Sequence, residues 1–239
     1  MIEKYSANER GYADHGWLQT YHSFSFASYY DPSRMGFGAL RVINDDTIAP
    51  GKGFGTHPHQ NMEIITIPLS GALAHKDSMG NASTIQAGEV QYMSAGSGVS
   101  HSEWNASTQE PVSLLQIWIL PQRQGGSPKY DQKKFQWQSS DKPSLLISPD
   151  GREESIAIGQ DAFFTMIPLS GKAEYRYECK KSGNASYIFA VDGEISVMEQ
   201  SLQKRDAVEI TDENQYTLIA KRPSQILIIE VPLEFEKTE

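Results

Sequence analysis

The segment Gly53-Phe-Gly-Thr-His-Pro-His59 carries two histidines two residues apart, and His101-Ser-Glu103 repeats that spacing with a histidine and a carboxylate. In an extended strand, residues i and i+2 point to the same face, so each segment can direct two side chains at one point. Two such strands facing each other would supply three imidazoles and one carboxylate, a ligand set for a divalent transition metal. The sequence therefore predicts a metal site in the front half of the chain, because no histidine follows His101.

Proline inside the first of these segments indicates where its strand lies. Pro58 has no N–H to donate to a neighbouring strand, so proline is confined to sheet edges and bulges. We therefore expect this strand at a rim or edge, which suits a site near the mouth of a barrel.

Short apolar or alternating runs recur along the whole chain between Gly, Pro, Asn and Asp residues. Examples are residues 62–69, 114–120, 186–191, 194–198 and 225–231. Closely spaced runs of this kind are typical of all-β sandwiches and barrels. Apolar stripes with a helical period are hard to find in the body of the chain. The sequence thus predicts an all-β fold with few, short helices.

Composition restricts the class of protein. The 239 residues are enough for one large domain or two ordinary ones. A formal charge of −9 argues against a nucleic-acid partner, which would favour a basic surface. The single cysteine, Cys179, excludes an intrachain disulfide and suits a reducing compartment. We see neither a signal peptide nor an apolar run of about 20 residues, and we expect a cytoplasmic protein without a membrane partner.

The second half of the chain repeats pieces of the first half in two competing registers. Ile67–Gly71 recurs unchanged as Ile167–Gly171, whereas Leu69–Leu73 matches Val191–Ile195 as a strand-turn-strand pattern. Neither register supplies a second ligand set. The sequence therefore predicts a duplicated β-barrel in which one copy lacks the metal.

The residues that replace the ligand set depend on how the second register is extended. Without gaps, and with Gly88–Val90 set against Asp206–Val208, the four positions of His57, His59, His101 and Glu103 fall on Cys179, Lys181, Ile219 and Lys221.

A polar, turn-rich stretch from Pro121 to Pro143 separates the two halves. We predict an N-terminal metal-binding barrel over residues 1–125, a connecting segment over 126–142, and a C-terminal barrel without metal ligands over 143–239. Part of the connection should be ordered, because Tyr130, Phe135 and Trp137 are too apolar for a free linker.

The glycines and histidines together are similar to the two-part signature of cupins. Gly51 precedes His57, His59 and Glu63, and a second glycine-rich part leads to His101 and Asn105. The chain departs from that signature in the spacing between Glu63 and Gly71 and in having Gly96 where a proline is usual.

The surrounding sequence resembles the N-terminal half of pirins, densely from about residue 14 to 123. The segments that carry the resemblance are Gly16–Phe26, Tyr29–Pro32, Met35–Gly38, Leu40–Asn44, Gly53–His59 and Met93–Glu103. It implies two cupin (jelly-roll β-barrel) domains with one metal site, whose family ligands stand here unchanged as His57, His59, His101 and Glu103. Bacterial pirin-like proteins are associated with quercetin 2,3-dioxygenase activity, and the eukaryotic member with transcriptional regulation as an iron-dependent partner protein.

The resemblance implies a metal-dependent dioxygenase that cleaves a flavonol, a quercetin-like ring, with O2 and releases CO. Its partners would be a small aromatic substrate and O2, and its cofactor one divalent ion, Fe(II) first, with Mn, Co, Ni, Cu or Zn as alternatives. Our hypothesis gives Glu103 a second, catalytic role as base for the substrate hydroxyl. The alternative is a regulatory protein of the pirin type without physiological turnover, whose metal state a protein partner reads. An apolar pocket open to the metal would favour the enzyme.

Several other residues received a simpler interpretation from sequence. Glu63 is expected to be a structural acid or to support the ligands, with direct metal contact as the lesser alternative. His22 is expected to be packed or at the surface, His75 to be exposed, and Cys179 to be an inert thiol. Four aromatic residues are expected mainly in the core, with a substrate pocket as the alternative: Tyr21, Phe24, Phe26 and Phe54.

Overall fold

The computed structural model describes residues 1–137 and 142–235. Its contacts divide the chain into two compact units. The N-terminal unit comprises residues 11–135 and 158–160, and the C-terminal unit comprises residues 1–10, 136–137, 142–157 and 161–235. Helix within the described residues is limited to two three-residue 3₁₀ segments, Ala7–Glu9 and Arg152–Glu154. The prediction of an all-β fold with few, short helices is confirmed.

The N-terminal unit contains a seven-stranded sheet, in the order β12-β9-β6-β11-β4-β3-β2, and a four-stranded sheet, in the order β5-β10-β7-β8. All pairings in both sheets are antiparallel. The strands are β2 (Gly11–Asp14), β3 (Leu18–His22), β4 (Leu40–Ile48), β5 (Gly53–His59), β6 (Glu63–Ser70), β7 (Ala72–Asp77), β8 (Ala82–Gln86), β9 (Glu89–Ser94), β10 (Val99–Asn105), β11 (Val112–Ile119) and β12 (Lys129–Lys134).

The two sheets of this unit pack face to face through alternating side chains. One core cluster joins Leu18, Ile48 and Leu114 of the large sheet to Leu73 and Ile85 of the small sheet. Strand β10 shows the same period of two, since its buried and less buried positions alternate along its length. Every second residue of β5, β10, β4 and β11 therefore points into the space between the sheets, where the candidate site lies.

The C-terminal unit repeats this architecture. Its sheets have the orders β1-β20-β17-β22-β15-β13-β14 and β16-β21-β18-β19. The strands are β1 (Ile2–Tyr5), β13 (Ser144–Ser148), β14 (Ile156–Ala157), β15 (Phe163–Leu169), β16 (Glu174–Glu178), β17 (Asn184–Asp192), β18 (Glu194–Val197), β19 (Gln200–Gln203), β20 (Ala207–Ile210), β21 (Gln215–Ala220) and β22 (Ser224–Pro232).

Position by position, the two sheet orders correspond, so β6-Gly71-β7 is equivalent to β17-Gly193-β18. This favours the register that sets Leu69–Leu73 against Val191–Ile195. The unbroken repeat Ile167–Gly171 lies instead at the end of β15, which corresponds to β4.

Strand pairing corrects the expected replacements for the ligand set. Leu73 pairs with Asn105 and its equivalent Ile195 pairs with Ala220. His101 is therefore equivalent to Tyr216, whose partner across the sheet is Tyr177, as His57 is the partner of His101. By the same count, the four ligands are replaced in the C-terminal unit. The replacements for His57, His59, His101 and Glu103 are, in that order, Tyr177, Cys179, Tyr216 and Leu218. For His57 and His59, the ungapped alignment was wrong because the connection from β16 to β17 is longer than that from β5 to β6. For His101 and Glu103, it was wrong because fewer residues separate Ile210 from Tyr216 than separate their equivalents Met93 and His101.

The contact units differ from the expected domains at three places, because residues 158–160 belong to the N-terminal unit and two strands lie outside their expected domain. Strand β1 pairs with β20, with Ile2 opposite Ile210, so the first residues complete the edge of the C-terminal sheet. Strand β12 falls in the expected connecting segment but pairs with β9, with Lys129 opposite Ser94. Both strands cover the unpaired main-chain groups of a sheet edge, a long-range pairing that sequence patterns do not specify.

None of the helices in the described residues is long and apolar enough to cross a membrane.

Gly53 at the start of β5 allows the close approach of β5 to β10. A Cβ at this position would collide with the main chain of Glu103 and Trp104, whereas a Cβ at Gly55 would meet nothing within 4 Å. We predict that Gly53→Ala lowers the free energy of unfolding of the metal-free protein by about 1–3 kcal/mol, since β10 must shift. The change would be measured by urea denaturation.

The matched control is Gly55→Ala, two residues along the same strand, which should change stability by less than about 0.5 kcal/mol. Equal stability of the two variants would contradict the role given to Gly53.

Candidate metal centre

Two neighbouring strands of the small sheet carry the three candidate histidines. His57 and His59 lie on β5, the edge strand of that sheet, and His101 lies on β10 directly opposite His57. The edge position expected from Pro58 is thereby confirmed. The antiparallel register determines the grouping, because a shift of one residue would turn the ring of His101 to the other face.

The three imidazole rings form a compact group. Their centroids are 4.8 Å apart for His57 and His59, 4.5 Å for His57 and His101, and 4.8 Å for His59 and His101. One ring nitrogen from each residue can be chosen such that all three lie within 4.8 Å of one another. This geometry can hold one metal ion with little movement of the side chains.

His59 and His101 are in the protonation state that metal binding requires. Burial, and next the neighbouring His57, lower the pKa of His59 to about 4. Burial and the other histidines lower the pKa of His101 to about 2. Both rings are therefore neutral near pH 7, as a metal ligand must be. The Nδ1 of His57 lies 2.8 Å from the carbonyl oxygen of Gly55. Because a carbonyl only accepts, Nδ1 of His57 donates this hydrogen bond, and Nε2 is the ring nitrogen left to bind a metal.

Glu103 lies on β10, two residues beyond His101, and its side chain is buried. A register shift in the pairing with β5 between these two residues sets Glu103 opposite Phe54. The Oε2 of Glu103 accepts a hydrogen bond of 2.9 Å from Nε2 of Gln116, whose Oε1 accepts one of 2.7 Å from Thr66. Burial raises the pKa of Glu103, and the hydrogen bond from Gln116 opposes that effect.

Buried polar atoms without partners mark the same place. Within the described residues, three such atoms have no hydrogen-bond partner: both ring nitrogens of His101 and Oε1 of Glu103. Leaving such groups unsatisfied costs about 1–3 kcal/mol each, so native proteins rarely do so without a functional reason. The donor set of three imidazoles and one carboxylate fits a divalent transition metal, and a bound ion would satisfy these atoms.

A cavity of about 180 Å³ opens beside this group. Its walls come from both sheets of the N-terminal unit and from the segment between β3 and β4. The lining residues are Phe26, Asn44, Asp46, Phe54, His57, His59, Glu103, Gln116 and Trp118. The arrangement combines an apolar slot for a flat ring with polar groups at defined points.

A second, more open depression of about 400 Å³ also borders His59. It is lined by polar and small residues, among them Gln60, Ser78 and Ser100. Its polar character makes the smaller, aromatic cavity the better place for an apolar substrate.

Glu63 lies away from the histidines. Strand β5 ends at His59 and β6 begins at Glu63 in the other sheet, so Glu63 does not share a strand face with His57 and His59. Its carboxylate accepts hydrogen bonds from the hydroxyls of Tyr92 and Ser94 and from the N–H of Gly159. Glu63 is therefore a structural acid, and the metal contact considered as the lesser alternative is not supported.

His75 is buried, and the expectation that it is exposed was wrong. It lies opposite Glu103 in the pairing of β7 with β10, and its ring stacks on Tyr130 at 5.1 Å and lies 5.3 Å from that of His101. The alternation of β7, in which Leu73, His75 and Asp77 are buried, explains this. His22 is buried as well, with its Nδ1 2.7 Å from Oδ1 of Asn44.

Three of the four aromatic residues divide between the core and the cavity, and Tyr21 fits neither interpretation. Phe26 and Phe54 line the cavity, and Phe24 is buried in the core. Tyr21 is 40% exposed and lies 4.8 Å from Tyr12, ring to ring. Cys179 is half-buried, and burial raises the pKa of its thiol, which agrees with an inert thiol.

Sequence reasoning missed the wall of the cavity that the large sheet supplies. Asn44 and Asp46 lie two residues apart on β4, and Gln116 and Trp118 do so on β11. Burial raises the pKa of Asp46 to about 7, and the nearby Asp45 and Glu103 contribute. The available signal was a pair of polar residues at a spacing of two in an otherwise apolar strand.

Comparison with known proteins agrees with this architecture. The family model for pirin matches residues 5–119, and the model for the quercetinase C-terminal cupin domain matches residues 145–231. A quercetin 2,3-dioxygenase of Escherichia coli (strain K12) is 44% identical over 97% of this chain and 99% of its own length. A pirin-like protein of Caulobacter vibrioides is 40% identical over 96% of this chain and 99% of its own length.

Among solved structures, the bacterial pirin YhhW of Escherichia coli in complex with nickel(II) superposes with a TM-score of 0.93. It is 42% identical, and the match covers 97% of this chain and 99% of that chain. These matches confirm the two cupin domains and the expectation of an enzyme similar to quercetin 2,3-dioxygenases. The sequence, the paired sheets and the three-histidine group agree with them, and the chain belongs to the pirin family.

Proposed function

We propose that this protein is a metal-dependent dioxygenase that cleaves a quercetin-like flavonol with O2 and releases CO. The observation that carries the proposal is the three-histidine group with Glu103, which has unpartnered buried atoms on His101 and Glu103 and lies beside a cavity with aromatic walls. The substrate class is that of the relatives named quercetin 2,3-dioxygenase. The partners are therefore a small aromatic molecule and O2.

The proposed centre consists of His57, His59, His101 and Glu103 holding one divalent ion. The nickel(II) complex of a protein 42% identical supports a divalent metal, and Fe(II) remains our first expectation for its identity. The chemistry that such an ion supplies is Lewis-acid polarisation of a substrate oxygen and electron transfer involving O2.

The residues of the chain supply position and proton transfer. The aromatic side chains of Phe26, Phe54 and Trp118 border the flat substrate and exclude water from it. Oε1 of Glu103, which accepts no hydrogen bond from the described residues, would both bind the ion and accept the proton of the substrate hydroxyl. Gln116 donates to Oε2 and so fixes which oxygen faces the cavity.

The regulatory alternative shares the same four residues, so the ligand set does not distinguish it from the enzyme. The aromatic cavity beside the histidines is the feature that favours turnover.

His57→Ala and His101→Ala should each fail to bind stoichiometric metal and to consume quercetin in the presence of O2, because each removes one of three nitrogen donors. Metal would be measured by elemental analysis, and quercetin by its visible absorbance under air and under nitrogen, with CO detected in the gas phase. His57 is only partly buried, so its truncation should leave the fold intact.

The control for these two variants is His15→Ala, at an exposed turn position outside the cavity. It should bind metal and turn over like the unchanged protein. Full metal content and turnover in His57→Ala and His101→Ala would overturn the assigned centre.

Glu103→Gln should keep part of the metal and lower turnover by about 10²–10⁴-fold, the range typical of a lost general base. The amide preserves the volume of the side chain but cannot take the proton. Unchanged kcat at equal metal content would remove the base role and leave the ligand role standing.

Gln116→Ala should lower turnover by about 10–100-fold, because residues that orient ligands have effects of that size. Thr66→Val, which removes only the outer end of the same chain of hydrogen bonds, should have a smaller effect. An equal loss in both variants would indicate general damage to β6 and β11 instead of orientation of Glu103.

A further inference from the structure

The wall that faces the histidines carries polar groups to which the proposed reaction gives no role. The histidines and Glu103 come from the small sheet, whereas Asn44 and Asp46 come from β4 of the large sheet. All of these except His101 line the same cavity. The cavity therefore has two polar walls with aromatic side chains between them.

Asp46 is 3% exposed, and the hydroxyl of Thr20 lies near its carboxyl from the neighbouring strand β3, but neither Oδ1 of Asp46 nor Oγ1 of Thr20 has a well-formed hydrogen bond in the described part of the chain. Two buried glutamates outside the candidate centre accept hydrogen bonds at both of their carboxylate oxygens. Glu63 accepts hydrogen bonds from Tyr92, Ser94 and Gly159. Glu230 accepts them from four donors: Tyr177, the main chain of Lys180 and Lys181, and Asn184.

This contrast argues against a purely structural role for Asp46. A fold that satisfies both oxygens of its structural acids leaves one oxygen of Asp46 unsatisfied, and that residue lines the cavity. A buried acceptor of this kind is costly unless a ligand or an ordered water completes it.

Asn44 has the complementary polarity. Its Oδ1 accepts the hydrogen bond from Nδ1 of His22 at 2.7 Å, since an amide oxygen can only accept. The group that the Asn44 side chain offers to other partners is therefore its Nδ2 donor. A donor and an acceptor two residues apart on one strand face match a hydroxyl group, which both donates and accepts.

We propose that Asp46, with Asn44 beside it, binds a hydroxyl of the substrate on the wall opposite the histidines and so selects hydroxylated aromatic substrates. The inference rests on the proposed function and adds a specificity-determining contact to it. A carboxyl keeps an accepting oxygen whether it is charged or neutral, so Asp46 can accept the substrate hydroxyl in either state.

The test compares two ligands that share the 3-hydroxyl and the 4-carbonyl, the oxygens expected at the metal, and that differ in their other ring hydroxyls. Quercetin carries additional ring hydroxyls, whereas 3-hydroxyflavone keeps the 3-hydroxyl and the 4-carbonyl without them. Equilibrium binding of both to the metal-loaded protein would be measured under nitrogen, where no turnover occurs, together with metal content and melting temperature.

The unchanged protein should bind quercetin at least about tenfold more tightly than 3-hydroxyflavone. A factor of this size corresponds to one good hydrogen bond to a charged group. Asp46→Ala should lose most of this preference by weakening quercetin alone. Asp46→Asn keeps an acceptor of the same shape, and its preference for quercetin over 3-hydroxyflavone should fall about threefold. This variant tests the role of Asp46 if the alanine variant does not fold. The control is Asp45→Asn, the same change of charge on the opposite face of β4, with an unchanged preference expected.

The remaining outcomes distinguish a failure of the Asp46 assignment from a failure of the proposed function. A preference that survives in Asp46→Ala, an equal loss for both ligands at full metal content, or an unchanged protein that binds both ligands equally well would overturn the assignment of Asp46. Failure of the unchanged, metal-loaded protein to bind either flavonol would instead overturn the proposed function.

Discussion

The pairing of β5 with β10 is the constraint on which the candidate centre depends. Antiparallel hydrogen bonds set His101 opposite His57, and the period of two in each strand adds His59 and Glu103 to the same face. The register shift between His101 and Glu103 moves the carboxylate to a position opposite Phe54, beside the aromatic wall. Gly53 permits this approach, since any side chain there would meet the main chain of β10.

The two units show how one topology serves different purposes. Both have a seven-stranded and a four-stranded sheet in corresponding order. Where the N-terminal unit has the pair His57 and His101, the C-terminal unit has the stacked, buried rings of Tyr177 and Tyr216, with centroids 5.4 Å apart. These rings belong to a core cluster that joins both sheets of that unit. The topology therefore does not determine function; the side chains at a few inward positions do.

The two walls of the cavity carry side chains of different chemical types. The small sheet contributes nitrogen donors and one carboxylate, and the large sheet contributes an acid, two amides and an indole. Among the described residues that line the cavity, the one hydrogen bond between the two walls is that from Gln116 to Glu103. A flat ring between Phe26, Phe54 and Trp118 would be in reach of both walls.

The sequence by itself determined the all-β class, the duplication and the four candidate ligands, because strand periodicity and the spacing of His57, His59, His101 and Glu103 are local properties of the chain. It did not determine what faces these residues. The burial of His75, the position of Glu63 in the other sheet, and the contribution of Asn44 and Asp46 depend on how strands distant in sequence pair and pack. Tertiary structure decided them, because a side chain's partners across a sheet or a cavity are set by long-range register, which one strand's own sequence does not contain.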